Sequence, residues 1–245
     1  MMGVYLTYLA NQKEDANGTR TPDENYAREV MQLMSLGLYQ LNNDGTVRTD
    51  SNGARIPAYT QADISGLARV FTGLSWWHPT PTNSTFFGGN RQPDAFVRPM
   101  IFYPQYHSTS AKSFLGVTIP ASTTVDAEGD LDRALDTLAN NANVGPFMSS
   151  RLIQMLVTSN PSPEYVQRVT AVWNNNGSGQ RGDLAAVVRA ILTDTEARTA
   201  GGNSYGKLRE PLIRRTSCAP LGRLRRPAIG SSPAPAVHSL LGKAP

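Results

Sequence analysis

Apolar positions recur at helical spacing in six stretches of the chain, and the stretch between the second and third has no period. In the first, Tyr26, Val30, Leu33 and Met34 follow a 3.6-residue repeat toward Gly37. Thr21, Pro22 and Glu24 carry the cap, first-turn proline and capping-box signs of a helix start. This helix has a second stripe. At about 100° per residue, Asn25, Arg28, Glu29 and Gln32 share one sector opposite the apolar face.

The second helix is predicted from Thr60, with Asp63 in capping-box position, burying Ile64, Leu67, Ala68 and Phe71 and stopping at Gly73. Four more follow late in the chain. Leu131, Ala134, Leu135 and Leu138 mark one apolar face. Phe147, Leu152, Met155 and Leu156 mark the next, with Asn143 as its cap. Val166, Val169 and Trp173 follow Ser162 and Pro163, and Leu184, Val187, Val188, Ile191 and Leu192 form the last. Short connections make these sequential helices neighbours. Between Gly37 and Thr60, Asn-Asp-Gly and Ser-Asn-Gly turn chemistry allows a small hairpin over residues 38–49.

Residues 74–127 read as irregular, apart from a strand-like piece at Met100–Tyr103. Nine of the 19 aromatic residues lie between Phe71 and Tyr106, a density that argues for order. The expected fold is mainly α: a single-domain helical array with an aromatic-rich insertion and a small β-hairpin. No fixed-period repeat is present.

Charge changes the picture only at the end. Residues 1–210 hold 17 of the Lys and Arg residues and all 19 acids, whereas residues 211–245 hold six basic residues and no acid. The overall charge of +4 is therefore a property of the tail, and the body carries no electrostatic footprint for nucleic acid. Residues 1–214 are expected to form the helical domain. Residues 215–245 lack periodicity and are expected to be a disordered or non-native tail. The single Cys218 allows neither an intrachain disulfide nor a cysteine metal site. The opening stretch MMGVYLTYLANQKED lacks the basic and apolar regions of a secretory signal, and no apolar run reaches membrane-spanning length.

Several stretches together resemble a bacterial family catalogued as domain of unknown function 1800. They are PDENYAREVMQLMSLGLYQLNNDG, YTQADISGLARVFTGLSWW, HSTSAKSFLG, GDLDRALDTLANNANVGPFMSSRLIQMLV, GDLAAVVRAILTDTEAR and GKLREPLIR. The resemblance implies a mostly helical fold and a periplasmic or secreted protein. It implies a fragment that begins inside the family domain and departs from it after Arg214. It also implies, as a partner, another exported protein encoded nearby, of the family domain of unknown function 1501. It implies no established activity.

The candidate chemistry is sparse. Asn25, Arg28 and Gln32, with Glu29, offer a ligand face on the first helix, a structural network, or a solvated surface. His107 and Lys112 stand in the pattern His-x4-Lys-x-Phe-Leu-Gly. His107 has the range of a general acid or base, and Lys112 can hold an anion. The family commonly places an Asp after this His. Ser108 stands there instead, which weakens a His–carboxylate dyad. Asp126, Glu128, Asp130 and Asp132 read as an acidic helix start rather than a calcium loop. Trp76, Trp77, Phe86, Phe87 and Tyr103 are candidates for a carbohydrate or peptide groove. Ser-nucleophile, dinucleotide and metal motifs are missing from the sequence, so neither metal nor cofactor is assigned. The favoured expectation is an exported bacterial protein binding a protein partner or surface polymer without catalysis. The alternative is a hydrolase-like enzyme using Glu29 or His107 as acid/base, with Arg28 or Lys112 holding an anionic group.

Overall fold

The computed structural model describes residues 2–199 and 206–207; the expectations for 215–245 lie outside them. Helices dominate: α1 Met2–Tyr5, α2 Asn25–Gln32, α3 Gln61–Val70, α4 Asn83–Phe86, α5 Ala127–Asn140, α6 Val144–Leu156, α7 Pro163–Asn174, α8 Leu184–Thr193 and α9 Thr195–Arg198. Two small antiparallel sheets interrupt them. Strand β1 (Leu74–Ser75) pairs with β2 (Ile101–Phe102), and β3 (Lys112–Phe114) pairs with β4 (Val117–Ile119). The mainly helical expectation is met.

One apolar cluster joins early and late parts of the chain. Met31 and Leu36 from the first helical region, Ile64 and Leu67 from α3, Ile153 from α6 and Ile191 from α8 are all essentially inaccessible. Helix α6 packs on α7 and α8, while α3 lies against α2, α5 and β3. The contact between α3 and β3 requires Gly66. A Cβ there would stand 1.8 Å from the Ser113 carbonyl oxygen, so any side chain would push the hairpin off the helix.

The predicted starts fare unevenly. Thr60 and Asp63 form the expected reciprocal capping box on α3, and Ser162 caps α7 through the Tyr165 N–H. Helix α2 begins later than expected, at Asn25, because the preceding residues are used elsewhere. Asp23 and Asn11 exchange two hydrogen bonds, and the Glu24 carboxylate accepts from Gln61 and Ser65 rather than closing a capping box. Asn143 does not cap α6 with its side chain. Its amide instead donates to the Leu36 and Tyr39 carbonyls and accepts from the Leu41 N–H, pinning a segment distant in sequence. That segment does turn back on itself, with an antiparallel bridge between Leu41 and Val47.

Periodicity overcounts the core. Leu135, Met155, Leu156, Leu184 and Leu192 are exposed and Leu152 is only partly buried, whereas Ile153 is fully buried. On a helix apolar all round, the spacing alone does not select the inward face. The β3–β4 hairpin falls within the stretch expected to be irregular. Its turn residues Leu115 and Gly116 both have positive φ, the two-residue geometry that joins twisted strands, but Leu is not a residue that announces it.

Candidate functional site

The two residues of the His-x4-Lys pattern meet inside the protein. His107 follows a 3₁₀ turn, Pro104–Tyr106, and Lys112 opens β3. Their exposures are 1% and 2%. Both reach Asp130, in the first turn of α5: Lys112 Nζ is 2.8 Å and His107 Nε2 3.1 Å from its Oδ2. Asp130 therefore supplies the carboxylate that Ser108 does not. In the sequence Asp130 reads only as part of an acidic helix start. It sits on a third element, far along the chain from His107, so no local spacing marks the pair.

His107 and Lys112 are each tied to backbone as well. His107 Nδ1 lies 2.8 Å from the Thr72 carbonyl, and Lys112 Nζ donates to the Ser108 carbonyl at 2.7 Å. Both imidazole nitrogens thus face oxygen atoms, the Thr72 carbonyl on one side and the Asp130 carboxylate on the other. Thr72 Oγ1 accepts from the Ser108 N–H. Gly73 allows the close approach: a Cβ there would lie 3.0 Å from the His107 nitrogen, at a φ of +84°. Burial works to raise the Asp130 carboxyl, but hydrogen bonds and charge from Lys112 and His107 bring it below its ordinary value.

An N-terminal segment covers the neighbouring side. Ala10 N–H donates to Leu74, Gly73 N–H to Asn11, and Lys13 N–H to Tyr106. Glu14 accepts from the Ser108 hydroxyl at 2.8 Å. Burial pushes the Glu14 carboxyl up, yet bonds from Ser110 and Ser108 and the charge of Arg69 leave it lowered. Among the described residues, Glu14 Oε2 and Arg69 Nε are buried without hydrogen-bond partners.

The polar stripe of α2 makes a different set of contacts. Arg28 donates to Gln61 Oε1 at 3.2 Å and lies 3.6 Å from the Glu24 carboxylate, with 42% of its side chain exposed. Gln32 Oε1 accepts from the Tyr59 hydroxyl, and Asn25 contributes its backbone N–H to Asp23. Glu29 Oε2 is buried without a hydrogen-bond partner among the described residues. None of the hydrogen bonds or ion pairs of His107 and Lys112 involves Glu29 or Arg28. Glu29 is thus not among the groups bonded to His107 and Lys112. Among the described residues, no three His, Cys, Asp or Glu side chains gather to hold a metal, and no helix is long and apolar enough to cross a membrane.

The aromatic residues divide into two sets. Phe86 and Tyr103 are wholly buried; Phe86 stacks on Tyr106, and the Tyr103 hydroxyl donates to the Trp76 carbonyl. They form the insertion's own core. Trp76 and Trp77 are half-buried and each carries an arginine: Arg91 lies 4.4 Å from the Trp76 centroid and Arg98 4.2 Å from that of Trp77. Phe96 packs edge-on against Trp76 and is 67% exposed. Trp76, Phe96 and Arg98 border a cavity of about 290 Å³. Aromatic density in the sequence points to the tryptophans but not to these arginines, which stand in a later part of the insertion.

The family model described as "Protein of unknown function (DUF1800)" matches residues 1–234. The chain belongs to the DUF1800 family. The matched span includes the helical body and continues past Arg214. No curated protein and no solved structure matches this DUF1800 chain.

Proposed function

We propose that this DUF1800 protein is an exported, non-catalytic binding protein that holds an acidic surface polymer. The observation that carries this reading is the pair of arginine–tryptophan stacks, Arg91 on Trp76 and Arg98 on Trp77. An arginine laid on an indole keeps its hydrogen-bonding edge outward in a fixed plane, suited to a carboxylate, while exposed aromatic surface beside it suits a sugar face. Asp94, which pairs with Arg98 at 3.2 Å, leaves much of that guanidinium's donor set available. Burial of His107 and Lys112 supports the non-catalytic part, since both side chains are withdrawn from the protein surface. Export rests on the family resemblance.

The test is affinity electrophoresis of the full chain through gels containing polygalacturonate or neutral hydroxyethylcellulose. Retardation is expected only in the acidic gel and is expected to vanish in Arg91→Gln/Arg98→Gln. That variant keeps all six basic residues of 211–245, so its loss separates the aromatic face from bulk charge. Equal retardation of both proteins refutes the site, and release of reducing ends refutes the absence of catalysis.

A further inference from the structure

A second concavity lies where the C-terminal end of α2, the turn-rich segment 38–47 and α6 meet. Its volume is about 320 Å³, at the low end of the range for small-molecule sites. Its apolar lining includes Leu38, Val47 and Phe147, and Leu38 remains 53% exposed. Its polar lining includes Gln32, Arg151 and Gln154. Among the described residues, Arg151 is the only charged one lining it.

The walls are fixed in advance of any ligand. Asn143 bonds the Leu36 and Tyr39 carbonyls and the Leu41 N–H, holding the segment against the start of α6. Arg151 is also placed. Its guanidinium lies 5.3 Å from the Phe147 centroid and donates to Gln154 Oε1 at 3.3 Å. Among the described residues it makes no ion pair with a carboxylate. An apolar cleft with one cation at its edge and no anion among the described residues of its lining selects a molecule with the reverse arrangement.

We propose that this cleft binds a small amphipathic carboxylate: an aliphatic chain against Leu38, Val47 and Phe147, and a carboxylate on Arg151 with Gln154 or Gln32 beside it. The bidentate match of guanidinium and carboxylate sets the head-group preference, and the chain supplies the apolar contact. The site is separate from the Trp76–Trp77 face and does not rest on it.

Octanoate is the probe, with 1-octanol and octyltrimethylammonium as uncharged and cationic counterparts. Calorimetry on the full chain is expected to show saturable octanoate binding, at least tenfold tighter than octanol, and no binding of the cation. Arg151→Gln should weaken octanoate at least tenfold and leave octanol unchanged. Val47→Asp, which places a carboxylate in the cleft, should abolish octanoate binding. Amide shifts in the unmodified protein should cluster in residues 33–47 and 147–154, a readout independent of how either variant folds. Equal affinity for octanoate and octanol, undiminished binding by Arg151→Gln, shifts elsewhere, or no saturable binding each overturns the proposal.

Discussion

Lys112 Nζ and Asp130 Oδ2 are 2.8 Å apart, and both side chains are almost wholly withdrawn from water. A charge pair in that position costs desolvation and is retained only if each partner stays paired. The same Asp130 oxygen also faces His107, so one carboxylate satisfies two buried nitrogen groups. Asp130→Asn should therefore destabilise by about 3–5 kcal/mol, read from urea titration, because it strands a buried ammonium. A cost under about 1 kcal/mol would mean that water reaches the cluster.

The pH dependence follows from the same group. The folded Asp130 carboxyl lies below its ordinary 3.8, and so does Asp63, where bonds from Thr60 and the Leu115 N–H outweigh burial. A carboxyl lowered by folding contributes stability above its unfolded value, lost as pH falls through the folded one. The stability gap between the wild type and Asp130→Asn should be full at about pH 6 and narrow progressively below pH 3.8. Urea midpoints of both proteins across that acid range provide the measurement; a constant gap contradicts the assignment.

Ile153 and Met155 are close neighbours on α6 and have opposite environments, 0% and 60% exposed. Ile153→Ala should cost about 2–5 kcal/mol by removing a core side chain, and Met155→Ala less than about 0.5 kcal/mol. Thermal melts of the pair test the inward face directly.

Arg28 is bonded to Gln61 of α3 and paired with Glu24, with solvent on one side. Arg28→Met should cost less than about 1 kcal/mol, the range of a surface ion pair. A loss of several kcal/mol in the same titration would restore the view of the stripe as a buried network.

Elements that announce themselves locally are legible in the chain. Thr60 with Asp63, and Ser162 followed by Pro163, mark helix starts through bonds made within a single turn. Val187 and Ile191 lie on the inward face that their spacing predicts. What stays hidden depends on distant partners. Asn143 looks like a cap and acts as a bracket, and Asp130 looks like a helix-start acid and acts as the shared carboxylate partner of buried Lys112 and His107. The Arg91–Trp76 and Arg98–Trp77 stacks are likewise tertiary, so composition marks the aromatics without marking what covers them.

The dual use of Asp130 has a consequence for synthesis. When residues 107–112 first leave the ribosome, His107 and Lys112 still lack Asp130, and Leu36, Tyr39 and Leu41 still lack the Asn143 amide. The segments already made cannot complete their interior by themselves. Until residues 130–143 arrive, the interior these residues help to close stays open, and apolar surface exposed in that interval favours aggregation.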